Sequence, residues 1–353
     1  MRALTADDLL NTPRGRRLLV AYAKAVGSVD LSQAFDLAAN AFEDHASFGT
    51  WHIAGGVMTR FAEPPTGSPD DAAVELAALR FGEVDADVLH AALQMSVDFA
   101  WYWQAPDGLV RLAALPQIVE LLRPLAEAVA ASPHCEWWSS ACAVDDQHLI
   151  AYAEPTIEAA PIGQSLRVGR AVAMADEAEG RRENRAASDV SGFWWSTPWA
   201  GHTTARRQNG RPTGITLMED CGGWEKVWIR RCPVPAEARI LEICEPADWA
   251  GLCRDHPFEI THTVGPDWRR VTGSDGPWLM PDWVSVAENY DAVHVTIAGY
   301  LTTATQAIDV DDRHQTMMAG WMPDGTVWLN DVLATTAAEW EIWKTSDGTG
   351  WSS

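Results

Sequence analysis

The apolar positions of the first half recur at helical spacing. Leu18, Leu19, Tyr22 and Val26 share one face, and Gly27 stands where such a helix would stop. Asp30 is placed to cap a second stripe made of Ala34, Phe35, Ala38 and Phe42. Residues 85–103 form a third, with Asp85 or Asp87 at its start. Ile118, Leu121, Leu122, Leu125 and Val129 make a fourth behind Pro116. Pro124 inside that stripe predicts a kink or a split, because proline lacks the backbone donor and its ring crowds the preceding turn. Residues 61–72 are a loop by composition. Residues 164–188, rich in alanine and charge, predict a connecting helix with Gly180 as its weak point.

At Asp189 the pattern changes to short alternating segments bounded by Gly, Pro, Asp or Asn. They predict strands over 214–218, 226–231, 238–243, 257–263, 292–298 and 326–329. Two short helices, 246–255 and 281–290, both open on proline followed by Asp and Trp, a favourable first turn. Many strands and few helices, out of strict alternation, predict an α+β fold with a mainly antiparallel sheet. The chain therefore divides into a helical domain over 1–160, a connecting helix over 161–190 and a Trp-rich α+β domain over 191–353. Strands are expected essentially only in the last.

Charge and composition narrow the function classes. The net charge is −23 and both halves carry an acidic excess, so a nucleic-acid partner is disfavoured. Arg206, Arg207 and Arg211 are the local basic cluster of the rear half and read as a solvated loop. No apolar run is long enough for a membrane span, and the first residues lack a signal-peptide pattern. Six scattered cysteines fit reduced thiols in a cytoplasmic chain.

Metal and phosphate motifs are missing from the sequence: there is no C-x-x-C, H-E-x-x-H, Walker loop or G-x-G-x-x-G. No metal is expected, and the acids Asp309, Asp311 and Asp312 read as solvated surface. Gly222 and Gly223 read as a turn between strands. Of the 19 tryptophans, 14 lie from residue 191 onward, which predicts an indole-packed core in that half. Trp194 and Trp195 are adjacent; in a strand they would face opposite sides, so that one is either covered or left as a flat platform for a ligand ring. Ser196, Asp291 and His294 are a conceivable nucleophile triad, without the G-x-S-x-G elbow that would support it. In a strand over 292–298, Val293, Val295 and Ile297 share one side and His294 and Thr296 the other, which points His294 to solvent or a cleft.

Three segments carry a family resemblance. Trp283, Ala287, Tyr290 and Asp291 follow the pattern of a short helix that ends in Tyr-Asp and feeds a strand. Gly320, Trp321 and Asp324 form a G-W-x-x-D turn ahead of a further strand, and Trp194 to Thr197 open the region. Residues 191–332 thus resemble bacterial and phage ADP-ribosyltransferase-like domains. The resemblance implies NAD as substrate, a nucleotide-like ligand, and transfer of ADP-ribose to a target such as a protein. It implies that Trp194 or Trp195 stacks on the base while Ser196, Thr197, Tyr290 and Asp291 line the cofactor site. Cleavage of the nicotinamide–ribose bond passes through an oxocarbenium-like state and needs a nearby carboxylate, for which Glu219 or Asp220 is placed, with His294 adding a hydrogen bond. The chain departs from the pattern where Ser196 stands in place of a first-strand Arg or His. Glu339-Trp340-Glu341 has the Glu-x-Glu form of some members, but reads as an exposed helix beyond the last strand. The other reading is a module of the same shape that binds a ligand or protein and has no activity.

Overall fold

The computed structural model describes residues 2–43, 51–54, 57–60, 65–102, 104–155, 160–183, 194–198, 200–206, 210–219, 224–333, 339–345 and 350–353. The chain folds as two compact units. One comprises Thr5–Met95 and Pro106–Ser132; the other gathers Met1–Leu4, Ser96–Ala105 and Pro133–Ser353. No helix among the described residues is long and apolar enough to cross a membrane.

The first unit is helical. Its elements are α1 (Ala6–Leu10), α2 (Pro13–Val26), α3 (Val29–Asn40), a hairpin of β1 (Trp51–Ala54) and β2 (Val57–Arg60), α4 (Pro69–Ala78), most of α5 (Ala86–Asp98), α6 (Gly108–Ala113) and α7 (Pro116–Ala130). Short polar side chains start the helices by accepting from orphan backbone N–H groups: Thr5 on α1, Thr12 on α2, Ser28 on α3 and Asp107 on α6. Ser28, not Asp30, caps α3. Pro69 opens α4 inside the segment read as a loop, and α7 runs on as one helix with Pro124 inside it. Leu18, Leu19, Tyr22, Phe35, Ile118, Leu122 and Leu125 make the core, as their spacing indicates. Asp107 also pairs with the buried Arg17 through two short hydrogen bonds of 2.8 and 2.7 Å.

The second unit is α+β around one seven-stranded sheet. In chain order it carries β3 (Gln147–Ala151), α8 (Ile162–Glu183), β4 (Gly201–Ala205), α9 (Thr213–Thr216), β5 (Lys226–Arg231), β6 (Ile240–Ile243), α10 (Pro246–Asp255), β7 (Pro257–Glu259), α11 (Gly265–Thr272), β8 (Leu279–Pro281), α12 (Trp283–Asn289), β9 (Ala292–Val295), α13 (Ile297–Thr303), β10 (Ile308–Asp309), β11 (Gln315–Thr316), β12 (Gly325–Trp328) and β13 (Glu341–Lys344). The sheet order is β13-β5-β3-β4-β12-β9-β6, antiparallel throughout except where β6 pairs with β9. Pairs β7–β8 and β10–β11 form two separate two-stranded antiparallel sheets, the first joined through α11.

Several expectations change here. Strands are not confined to the rear half, since β1, β2 and β3 precede residue 160 and β3 sits mid-sheet. The helical unit accordingly closes at Ser132. Residues 214–218 hold the single turn α9, whose Gly214 N–H donates to Thr204 Oγ1 at 2.7 Å and so is not offered to a neighbouring strand. The strand over 292–298 ends at Val295 because Thr296 accepts from Gly299 N–H and starts α13. Glu341 belongs to β13 at the sheet edge, not to a helix. The turn expected at Gly222 and Gly223 lies outside the described residues.

One sheet face is apolar: Ile150, Val227, Ile229 and Trp343 pack with Ile215, Met322 and Trp351. The other carries a polar row, because register sets Glu242, His294, Thr326 and Thr203 side by side across β6, β9, β12 and β4. Indoles fill much of the remaining interior: Trp249, Trp268, Trp278, Trp321 and Trp328 are fully buried. Helix α8 docks through Glu177, whose carboxylate accepts from His262 N–H and Thr263 Oγ1, and through Gly180. A Cβ at Gly180 would stand 2.6 Å from the His262 carbonyl oxygen. Gly180 is thus a docking point rather than a weak one. Gly180→Ala gains helix propensity of about 1 kcal/mol, yet overpacking against backbone costs roughly 1–3 kcal/mol. A net loss is expected in urea denaturation; a stabilised variant would show that α8 does not dock there.

Candidate functional site

Several of the residues singled out in the sequence, Trp194 to Thr197, Glu219 and His294, gather about one bend, Ala319–Gly325. Gly320 has φ +79° and Asp324 φ +57°. The Gly325 N–H donates to the Met322 carbonyl at 2.9 Å, closing a turn with Pro323 second and left-handed Asp324 third, the arrangement of a type II turn. Proline supplies the fixed φ and aspartate tolerates the left-handed region better than most side chains.

Residues 194–197 lie along the first end of this bend. They form no ladder strand, and Thr197 stands at a bend of its own. Trp194 stacks on Tyr102 with centroids 5.1 Å apart and planes at 14°. Trp195 meets Trp194 edge to face at 5.6 Å and 85°. The two rings therefore touch rather than point to opposite faces, as strand neighbours would. Both are half-buried. Their backbone is held from both sides: Trp268 Nε1 donates to the Trp194 carbonyl at 2.8 Å, and Ser196 N–H donates to the Ala319 carbonyl at 2.8 Å.

Ser196 is fully buried and its hydrogen-bonding capacity is used up. Its Oγ donates to Ala319 O (3.0 Å) and accepts from Ala319 N–H (3.1 Å) and Trp321 Nε1 (3.0 Å); its carbonyl accepts from Trp283 Nε1. A hydroxyl has one proton and two lone pairs, so none is left for a nucleophile or for gripping an amide. Thr197 Oγ1 donates to the Gly320 carbonyl.

Glu219 reaches the same bend. Its Oε1 accepts from the Tyr102 hydroxyl at 2.5 Å, and its Oε2 accepts from Gly320 N–H and, at 3.1 Å, from Trp321 N–H. The carboxylate is buried. Asp220 lies outside the described residues.

His294 holds the other end. Strand β9 is covered on both faces, so its alternation does not lead a side chain outward, and His294 is fully buried rather than facing solvent or a cleft. Its Nδ1 is 2.5 Å from Glu242 Oε2, and its Nε2 is 3.4 Å from Asp324 Oδ1, an ion-pair contact longer than a good hydrogen bond. Burial by itself lowers the imidazole pKa; the hydrogen bonds and charges of Asp324 and Glu242 overcome this and raise it to about 9. Asp324 N–H also donates to the Val295 carbonyl at 2.8 Å. Cys142 closes the cluster, with its N–H on Glu242 Oε1 (3.0 Å) and its Sγ 3.4 Å from Thr326 Oγ1.

Tyr290 and Asp291 are engaged elsewhere. Tyr290 ends α12, and its carbonyl accepts from Asn330 Nδ2. Asp291 takes the Arg239 guanidinium through both oxygens, at 2.9 and 3.2 Å, and the Arg239 N–H at 2.9 Å. The Arg239 side-chain hydrogen bond holds its carboxyl below the usual range. Ser196, Asp291 and His294 therefore serve three separate sets of partners and do not form a triad.

The structure thus brings Trp194, Trp195, Ser196, Thr197 and Glu219 together and adds Tyr102, Glu242 and Asp324. Glu242 carried a signal, an acid inside the otherwise apolar strand ILEI. Tyr102 carried none, being read as the end of a helix that stops at Asp98. Among the described residues, no group of three or more His, Cys, Asp or Glu side chains is arranged to hold a metal ion. Comparison of the chain with family models, characterised proteins and solved structures finds no match.

The raised pKa of His294 has a definite sign in stability. The folded value of about 9 exceeds the unfolded value near 6.5, so the contribution is complete below about 6.5 and is lost as pH rises through about 9. The unfolding free energy of the wild type, minus that of His294→Gln, should shrink by roughly 3 kcal/mol between pH 6 and pH 10. A difference that stays constant across this range in urea titrations would mean that the imidazole is neutral in the fold.

Proposed function

We propose that the sheet unit is a binding module that receives the planar ring of a nucleotide-like small molecule on the Trp194–Trp195 pair, without transfer chemistry. The observation that carries this reading is the indole pair itself: two half-buried rings in edge-to-face contact on a backbone pinned from both sides. Fixing an aromatic platform before the ligand arrives removes the ordering cost of binding. A planar ring laid on an indole gains stacking whatever its exact pattern of donors, as bases do on aromatic side chains.

The same neighbourhood argues against catalysis. A carboxylate that stabilises an oxocarbenium-like state must face the ribose. Glu219 instead has both oxygens occupied by Tyr102 and by the backbone of Gly320 and Trp321. Ser196 has no capacity left for a nicotinamide amide. This is the inactive member of the two readings that the ADP-ribosyltransferase-like resemblance opens, with NAD a candidate ligand and not a substrate.

Titration with AMP and with NAD, followed by tryptophan fluorescence, is expected to give saturable quenching. Trp195→Ala should weaken binding by about 1–3 kcal/mol while the protein stays folded. Incubation with NAD should release no nicotinamide. Release that disappears in Glu219→Gln would overturn this reading in favour of the transferase.

A further inference from the structure

The two ends of the Ala319–Gly325 bend are held by different chemistry. The first end is meshed with the indole segment: Ser196 and Ala319 exchange hydrogen bonds, Thr197 donates to Gly320, and a Cβ at Gly320 would stand 2.6 Å from Trp195 Cβ. The second end is held by Asp324, whose N–H is on Val295 O and whose carboxylate faces the His294 imidazole. Only Trp321, Met322 and Pro323 lie between Gly320 and Asp324. Trp321 is itself locked, with its indole N–H on Ser196 and its ring against Trp249 and Trp283. Proline fixes one further backbone angle. A displacement at Asp324 therefore has little slack to dissipate before it reaches Gly320.

We propose that Asp324 and His294 are positioning residues for the Trp194–Trp195 pair, acting through this bend; the role in ligand binding rests on the reading of that pair as a platform. His294 touches neither indole among its hydrogen-bond and ion-pair partners. Its imidazole sets where Asp324 sits, Asp324 sets the turn, and the turn sets the surface against which Trp195 lies.

The test uses the full chain labelled with 5-fluorotryptophan. The Trp195 resonance is assigned with Trp195→Phe, and that of Trp343, on the far edge strand β13, with Trp343→Phe. Asp324→Asn and Asp324→Gly remove the charge with residues that accept a positive φ. Both are expected to shift the Trp195 resonance and leave that of Trp343 in place. With AMP as the probe, affinity should fall roughly two- to thirty-fold, the range for residues that act on a site through an intervening network. A Trp195 resonance unmoved in both variants overturns the proposal, as does global unfolding of both, which would make Asp324 a residue of the fold alone. If Trp195 moves but the wild type binds neither AMP nor NAD, the positioning role stands and the platform reading falls.

Discussion

The bend at Ala319–Gly325 is where the sheet unit has to solve the problem of buried negative charge. Glu219 and Asp324 approach it from opposite ends, and both are nearly withdrawn from water in a chain whose net charge is already −23. An isolated carboxylate there would cost several kcal/mol, so each needs donors that the fold itself provides. Glu219 is met by a phenol and two backbone N–H groups, and Asp324 by the His294 imidazole, whose pKa its two carboxylate neighbours raise. Gly320 makes the first solution possible, because its left-handed backbone turns its own N–H and that of Trp321 onto one oxygen. A side chain at Gly320 would run into Trp195 and Thr197. The glycine thus serves the carboxylate and the indole segment together.

These solutions use up the chemistry that the residue types suggested. Serine, glutamate and histidine close to tryptophans read, in a sequence, as nucleophile, acid and base. In the fold, Ser196 and Glu219 are met by hydrogen-bond partners, and His294 is buried between Glu242 and Asp324. The thiols behave alike, since burial pushes Cys135 and Cys253 up to about 12, far from a reactive thiolate.

Much of the architecture could be read from spacing, and the failures have specific causes. Strand β5 and helix α10 match their expected bounds, and α12 and β9 follow each other as the Tyr-Asp pattern indicates. Apolar alternation with proline and glycine at the ends was sufficient there. β3 was missed because Gln147, His148 and Leu149 show no apolar alternation; its two polar side chains are buried by cross-strand partners, with Gln147 accepting from Thr203. The convergence of Trp194–Thr197 and Glu219 was half legible: aromatic and acidic residues of one region were grouped, but their common partner was backbone at 319–321, which has no residue signature. His294 was misplaced for a different reason. Period-two alternation separates two faces but does not say which faces are covered. A strand between two others, with side chains packed above and below, hides both.

The charge on His294 has a second consequence, at the sheet edge. Strand β6 is held to the seven-stranded sheet by β9, in a parallel pairing among otherwise antiparallel ladders of that sheet, and parallel pairing is slightly the weaker per residue. Two ion pairs fasten it. Arg239–Asp291 sits just before the paired segment, with Arg239 half exposed, where water and salt screen it. Glu242–His294 lies within the ladder, directly across from one strand to the other, and His294 is out of water. A pair in that position is screened far less, and its loss would leave a buried group without its partner, which is the costly case. The imidazole therefore faces two directions at once, the edge strand through Glu242 and the bend through Asp324. Neither carboxylate can take over for the other, because each faces a different ring nitrogen. One side chain thus stands between the edge of the sheet and the turn that carries the indole segment.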